Sequence, residues 1–280
     1  MAPARGKLPP HQTRSALWPV IRFGLCILLL SLVFSLLALP WFNLSWWRIF
    51  RRCVSIAAIF GLWISIRVVE RRSIRSYGFL RSGSGEGRRQ FAFGVCLGLT
   101  VLVWMLAIGL ALGVCGIQVT PDTVRLWRTL IGFLPAAVLI GVLEELVFRG
   151  DIFQHLLAAS RSFAVILSSA LYALVHVKTA QLGLAVGMEL GGLFLLGVVL
   201  ALSYMQTRQL YLAVGLHAAL AYGARVNKLL LNIDTAHIWL VGTSRLVNGL
   251  AGWIALAAIG CAVTWWVRSS PQGGWHDERA

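Results

Sequence analysis

Long apolar segments follow one another along almost the whole chain, and they leave little choice of fold. An apolar stretch of roughly 20 residues crosses the hydrocarbon core of a bilayer as a helix. Of the 280 residues, 58% are hydrophobic and 12% are charged, whereas soluble domains carry about 25% charged residues. The sequence therefore predicts an all-α integral membrane protein in which about eight transmembrane helices form one bundle. The predicted spans are 18–39, 49–68, 91–117, 129–158, 162–178, 183–204, 209–224 and 247–267.

The polar segments between these spans are short, so no soluble domain fits between them. We expect a single membrane domain over residues 18–267, with an N-terminal tail of residues 1–17 and a C-terminal tail of residues 268–280. The loop between the second and third spans is the most basic, and positively charged loops remain in the cytoplasm. With eight spans both termini are then cytoplasmic. The preference for arginine over lysine favours a multi-pass protein of a bacterial inner membrane.

The net charge of +15 comes mainly from arginines in these short loops. Such residues orient a membrane protein and contact anionic lipid headgroups of the bilayer, so we expect no nucleic-acid partner. The five cysteines lie within or at the ends of apolar spans, and no two of them form a C-x-x-C motif. This pattern predicts neither a disulfide framework nor a cysteine-based metal site.

Two adjacent glutamates and an arginine interrupt the fourth apolar span. Arg149 follows Glu144 and Glu145, four residues after the second of them. A charged side chain at the bilayer centre costs about 2.5–3.5 kcal/mol, so ionisable groups in membrane helices mark functional sites. Residues four apart share a helix face, which pairs Arg149 with Glu145 and leaves Glu144 without a partner on its own helix. Glu144 is therefore the candidate general base for activating a water.

Two histidines are expected to join the glutamates in one buried polar active site. If the fourth and fifth spans form a helical hairpin, Glu145 and His176 lie about equally far from the turn and hence at similar depth. The same count in the hairpin of the sixth and seventh spans places Gly197 level with His217. Such a pocket can activate a water or bind a metal such as zinc. The residues alone leave both alternatives open.

The order of these residues resembles the motif series of a known family of intramembrane proteases. The motifs are, in chain order, Glu144-Glu145-x-x-x-Arg149, Tyr172-x-x-x-His176, Phe194-x-x-Gly197 and finally His217 on a following span. This series is similar to that of the CAAX protease and bacteriocin-processing family (CPBP or Abi), which is related to the CAAX prenyl endopeptidase. The resemblance covers roughly residues 125–225, the expected catalytic core.

The resemblance implies an endopeptidase that hydrolyses a peptide bond near the end of a membrane-associated protein or peptide. Glu144 would activate the attacking water, and Glu145 and Arg149 would support it. His176 and His217 would hold or polarise the water and the substrate carbonyl. Members of the family have been described as glutamate proteases and as metallo-endopeptidases, so a zinc ion on His176 and His217 stays open as the alternative.

The expected substrate-binding residues are Tyr172, Phe194, Gly197 and Tyr222, and two positions in this region depart from the family pattern. Tyr172 stands where the family usually has Phe. Ala221 stands where it usually has an Asn or Asp that is thought to stabilise the oxyanion. Tyr222 or Asn227 would then have to supply the missing donor. The alternative hypothesis is a catalytically weak homologue that acts as a membrane binding or bacteriocin-immunity protein.

Overall fold

The computed structural model describes residues 10–79, 85–176, 183–234, 237–243 and 248–269, and these are mostly helical. The α-helices are α1 (Pro10–Ala38), α2 (Trp46–Ile64), α3 (Gly85–Ala111), α4 (Thr123–Leu130), α5 (Phe133–Glu145), α6 (Phe153–Leu156), α7 (Arg161–Val175), α8 (Leu184–Thr207), α9 (Tyr211–Leu230), α10 (Ile238–Val241) and α11 (Leu250–Ser269). Two short strands, β1 (Cys115–Ile117) and β2 (Leu231–Ile233), pair in antiparallel fashion. Short 3-10 helices occupy Leu39–Trp41 and Ile74–Tyr77.

Within the described residues, five helices are long and apolar enough to cross a membrane. A sixth is added if α4 and the segment Phe133–Leu156, which meet at a bend of 43°, form one broken span. The chain is thus an all-α protein with several membrane-spanning helices, but eight separate spans are not confirmed. The five helices are Ala16–Trp41, Trp46–Val69, Gly85–Ala111, Leu184–Thr207 and Leu250–Ser269.

The fifth and seventh predicted spans are helical but differ from ordinary spans. Helix α7 has 15 residues, fewer than the roughly 20 that cross the hydrocarbon core. Helix α9 packs against both α3 and α5 and is buried along most of its length. Small residues permit this close packing: a Cβ atom on Gly94 of α3 would collide with the backbone of α9 at Leu212, and one on Gly215 would collide with the backbone of α3.

Two of the predicted spans are shorter or more broken in the structure than their apolar sequence predicts. The third was expected to continue to residue 117, but α3 ends at Ala111, and Cys115–Ile117 forms β1 instead. Gly113 adopts a φ of +66°, a left-handed conformation that terminates helices. The fourth, expected as one helix over 129–158, is broken between α4 and α5.

Two π-helical segments continue α-helices of the bundle. The first, π1 (Ser65–Val69), continues α2, and the second, π2 (Leu146–Ile152), continues α5. All seven residues of π2 are buried. Single π-helical turns within α-helices are uncommon and frequently occur at functional sites. The apolar core surrounds π2, and it includes Phe148, Phe153 and Tyr172.

Candidate active site

The five expected catalytic residues come from four helical segments that meet inside the bundle. Glu144 and Glu145 are the last two residues of α5, and Arg149 lies in π2 directly after it. His176 is the C-cap residue of α7, and His217 lies in the middle of α9. The structure brings these five side chains into one connected cluster.

A buried ion pair forms the inner part of this cluster. Glu145 Oε1 lies 3.1 Å from Nη1 of Arg149 and 2.8 Å from Nδ1 of His217. The Nη2 group of Arg149 donates to the carbonyl oxygen of Gly197 at 2.9 Å. The side chains of Glu145 and Arg149 are both 0% exposed. Since a guanidinium stays protonated in proteins, Glu145 supplies the charge that compensates it.

Glu144 occupies a different environment, at the outer part of the cluster. Its Oε2 atom lies 3.3 Å from Nε2 of His176 and 3.5 Å from Nε2 of His217. The side chains of Glu144 and His176 are 31% and 25% exposed, whereas that of His217 is 6% exposed. A ligand can therefore reach Glu144 and His176, while the ion pair behind them stays out of its reach.

When the two imidazoles are neutral, their hydrogen bonds favour a hydrogen on Nδ1. Nδ1 of His176 lies 2.7 Å from the carbonyl oxygen of Tyr172, which can only accept. Nδ1 of His217 faces the carboxylate of Glu145, which also accepts. In the neutral rings both Nε2 atoms are then acceptors, and both point towards Glu144. Oε2 of Glu144 is buried and then has no hydrogen-bond donor among the described residues, so a water or a proton has to supply one.

Comparison with known families identifies the segment that carries this cluster. Residues 126–223 match the family described as Rce1-like, Type II CAAX prenyl endopeptidase Rce1-like. This segment is thus similar to the CAAX protease family. The matched segment runs from α4 into α9 and contains every residue of the cluster. No curated protein matches the chain.

This match confirms the resemblance carried by the four motifs. Because the matched family is a protease family, it supports peptidase activity, a peptide or protein substrate and a membrane setting for this chain. The several apolar helices agree with a multi-pass membrane protein.

Tyr172, one of the two departures from the motif pattern of the CAAX protease family, lies between the histidines. Its hydroxyl is 3.5 Å from Nε2 of His217, and its ring centroid is 4.5 Å from that of His176. The guanidinium carbon of Arg149 lies 4.9 Å from the centre of the same ring. Sequence reasoning assigned Tyr172 to substrate binding but did not find its contact with His217. The signal was the hydroxyl itself, at a position where the family usually has Phe.

The other expected substrate-binding residues have partners within the protein. A Cβ atom on Gly197 would lie 2.9 Å from Cα of Ser169, so this glycine lets α8 approach α7. Phe194 is partly buried and packs against the core. The hydroxyl of Tyr222 donates to the carbonyl oxygen of Leu130 at 2.8 Å, which ties α9 to the end of α4.

Ala221, the second departure from the CAAX protease pattern, leaves a methyl group on the helix face of His217. The two donors expected to replace the missing amide lie elsewhere. Tyr222 is engaged at Leu130, and Asn227 is ten residues after His217, about 15 Å along the helix. A replacement donor must therefore come from another helix.

The donor types of the cluster fit zinc better than their spacing does. One carboxylate oxygen and two imidazole nitrogens are common zinc ligands. Among the described residues, however, a group of three possible metal ligands whose atoms all lie within 4.8 Å of one another is found elsewhere. It consists of Glu70, Asp151 and His155. The trio of Glu144, His176 and His217 does not meet that spacing. A zinc ion on His176 and His217 stays a prediction that this spacing does not test.

Proposed function

We propose that the chain is an intramembrane endopeptidase of the CAAX protease type in which Glu144 activates the attacking water. One observation carries the proposal: Glu144, whose side chain is 31% exposed, directs Oε2 towards the Nε2 atoms of His176 and His217, at 3.3 and 3.5 Å. The matched family supports the reaction class. The substrate would be a membrane-associated protein or peptide cut near its end.

The two adjacent glutamates have separate tasks in this proposal. Glu145 is held by Arg149 and His217 and is fully buried, so it cannot reach a substrate. It orients His217 and compensates the charge of Arg149. Glu144 has no such partner on its own helix and is partly exposed, which leaves its carboxylate available to take a proton from water.

The reaction follows from the acceptors that surround the site. A water bound beside Oε2 of Glu144 donates one hydrogen to that oxygen and the other to an imidazole Nε2. As the water oxygen attacks the carbonyl carbon, its proton moves to Glu144, and the carbonyl oxygen becomes an oxyanion. Glu144 then gives the proton to the amide nitrogen, and the oxyanion re-forms the carbonyl as the C–N bond breaks. The products are an amine and a carboxylic acid, which then loses its proton to solvent.

The oxyanion needs a hydrogen-bond donor, and the neutral imidazoles do not offer one. We assign this role to the hydroxyl of Tyr172, which lies 3.5 Å from Nε2 of His217. It would take the place of the family amide that Ala221 lacks. Loss of one oxyanion donor costs about 2.7–4 kcal/mol of transition-state stabilisation. A replacement donor would therefore raise kcat by about 10²–10³-fold over a site without one.

The surroundings of the site suit a substrate that approaches from the bilayer. Leu174 and Val175, directly before His176, are exposed apolar residues at the end of α7. Exposed apolar side chains of a membrane protein contact lipid or apolar ligands. A membrane-associated peptide with an apolar end can lie against them while its scissile bond reaches Glu144.

The test compares protein termini in cells that carry the wild-type chain, the Glu144→Gln variant or the Glu86→Gln variant. Glu86 lies in the first turn of α3, outside the matched segment, and so provides the matched control. Terminal-peptide mass spectrometry should find a set of cut ends that only Glu144→Gln abolishes, and those ends name the substrate. Identical termini in all three strains, at equal protein levels, would overturn the proposal and favour a membrane binding or immunity role.

A further inference from the structure

A second polar cluster, here called the π cluster, lies where π1 and π2 meet. It consists of Glu70, which directly follows π1, Asp151 in π2 and His155 in α6. One ligand atom of each residue lies within 4.8 Å of the other two. None of these residues takes part in the proposed hydrolysis.

Both carboxylates of the π cluster hold a buried oxygen that lacks a hydrogen-bond donor. Asp151 is 1% exposed; its Oδ1 accepts from the hydroxyl of Ser65 at 2.8 Å, while its Oδ2 has no donor among the described residues. Oε1 of Glu70 is likewise buried and has no hydrogen-bond donor among the described residues. Burying a carboxylate is unfavourable unless a positive charge and hydrogen bonds compensate it.

The imidazole of His155 presents a lone pair to these oxygens. Its Nδ1 lies 2.9 Å from the backbone carbonyl oxygen of Asp151, which can only accept, so Nδ1 carries the hydrogen. Nε2 then faces Oε1 of Glu70 at 2.7 Å. Two acceptors at this distance require a positive centre. A proton on Nε2 would give Glu70 a hydrogen-bond donor but leave Oδ2 of Asp151 without one. A cation can bind all three atoms: Nε2 of His155, Oε1 of Glu70 and Oδ2 of Asp151.

Neighbouring groups hold the three side chains as metal ligands are usually held. A metal-binding histidine typically donates its second N–H to a carbonyl or carboxylate, and binding carboxylates accept hydrogen bonds in turn. The hydroxyl of Tyr77 donates to Oε2 of Glu70 at 2.7 Å. A cavity of about 150 Å³, lined by Ser65 and His155, offers a path to the cluster.

We propose that Glu70, Asp151 and His155 bind a divalent metal ion of the zinc class. One imidazole nitrogen and two carboxylate oxygens match the ligands that zinc takes, whereas magnesium and calcium prefer oxygen ligands throughout. The ion would join the end of α2 to π2, two residues after Arg149. It would therefore stabilise the segment that carries the buried ion pair of the active site without contacting the substrate.

The test measures metal binding by the purified full chain in detergent, after removal of metal by a chelator. Titration with zinc chloride in a calorimeter should give one ion per chain, and cobalt should give the visible absorption of a bound ion. Asp151→Asn and His155→Gln should weaken zinc binding at least tenfold. Tyr77→Phe, which removes one hydrogen bond to a ligand, should weaken it roughly 10–100-fold.

Control variants distinguish this site from zinc binding at the protein surface. Asp234→Asn alters an exposed Asp–His pair, with 2.9 Å between Oδ2 of Asp234 and Nδ1 of His237, and should leave binding unchanged. Arg22 lines the cavity beside the cluster, and Arg22→Gln should leave binding intact or strengthen it if a metal supplies the positive charge. Zinc should raise the unfolding temperature of the wild type but not that of Asp151→Asn.

Three results would overturn the proposal. They are an absence of stoichiometric binding, binding that Asp151→Asn and Tyr77→Phe leave unchanged, and binding that is lost in Glu144→Gln instead. The last result would place the ion in the active site. All readouts are independent of hydrolysis, so a failure of the metal proposal and a failure of the protease proposal remain distinguishable.

Discussion

Changing each of the two adjacent glutamates to glutamine should have different effects: Glu145→Gln should lower stability, and Glu144→Gln should lower activity. Glu145→Gln removes the charge that compensates Arg149, and both side chains are 0% exposed. Breaking a buried ion pair by removing one partner costs about 3–5 kcal/mol. Since the amide oxygen can still accept a hydrogen bond from Arg149 or His217, we expect a loss near the lower end of that range.

Glu144→Gln should instead leave the fold intact and remove activity. The Glu144 side chain is about one third exposed, and its contacts with His176 and His217 are 3.3 and 3.5 Å long. Such a pair contributes about 0–1 kcal/mol to stability. Loss of a general base, however, lowers the rate by about 10²–10⁴-fold.

Both quantities can be measured on the purified variants in one detergent. Thermal unfolding can be followed with a thiol-reactive fluorophore, because Cys53 is buried and reacts only on unfolding, whereas the exposed Cys96 and Cys261 react beforehand and set the baseline. Hydrolysis is followed with the substrate that the terminal-peptide experiment names. The reasoning is refuted if Glu145→Gln is as stable as the wild type, or if Glu144→Gln loses as much stability as Glu145→Gln.

Three further substitutions test the positions around the pair. Tyr172→Phe should lower kcat about 10²–10³-fold without unfolding the protein, and adding Ala221→Asn should restore at least tenfold; an unchanged kcat would exclude the hydroxyl as oxyanion donor. Gly197→Ala should cost about 1–3 kcal/mol of unfolding free energy, because its Cβ meets the backbone of α7. The matched control Gly187→Ala, with nothing within 4 Å of its Cβ, should be neutral or stabilising by about 1 kcal/mol, and equal losses would contradict the packing argument. Arg149→Lys should cost about 1.5–3 kcal/mol in the same unfolding assay, since one ammonium cannot replace both hydrogen bonds of the guanidinium; a lysine variant of wild-type stability would contradict it.

Local spacing and simple hairpin geometry were enough to predict that these five side chains come together. The pairing of Glu145 with Arg149 depends only on positions four apart on one helix, and the structure has it at 3.1 Å. Counting outward from the turns placed His176 level with Glu145 and His217 level with Gly197, and both histidines contact Glu144. The roles of these residues in catalysis remain proposals.

Features that depend on tertiary packing were not predictable from the sequence. The apolar pattern of the fourth span gave no sign of the bend after Leu130 or of the π-helical turn at 146–152, because apolar residues face the core in either conformation. Likewise, Ser65 and Asp151 form a hydrogen bond across 86 positions of sequence. From the sequence pattern, Asp151 is only a charged residue near the end of an apolar span. The fold shows that it is buried beside Glu70 and His155.

Hydrolysis of the identified substrate in ¹⁸O-labelled water tests the central claim most directly. The purified wild-type chain should release a product whose new C-terminal carboxylate carries one ¹⁸O atom. Glu144→Gln should release at least a hundredfold less of this product over the same time, while unfolding at the temperature of the wild type. Release of the labelled product by Glu144→Gln at the wild-type rate would contradict the claim that Glu144 activates the attacking water.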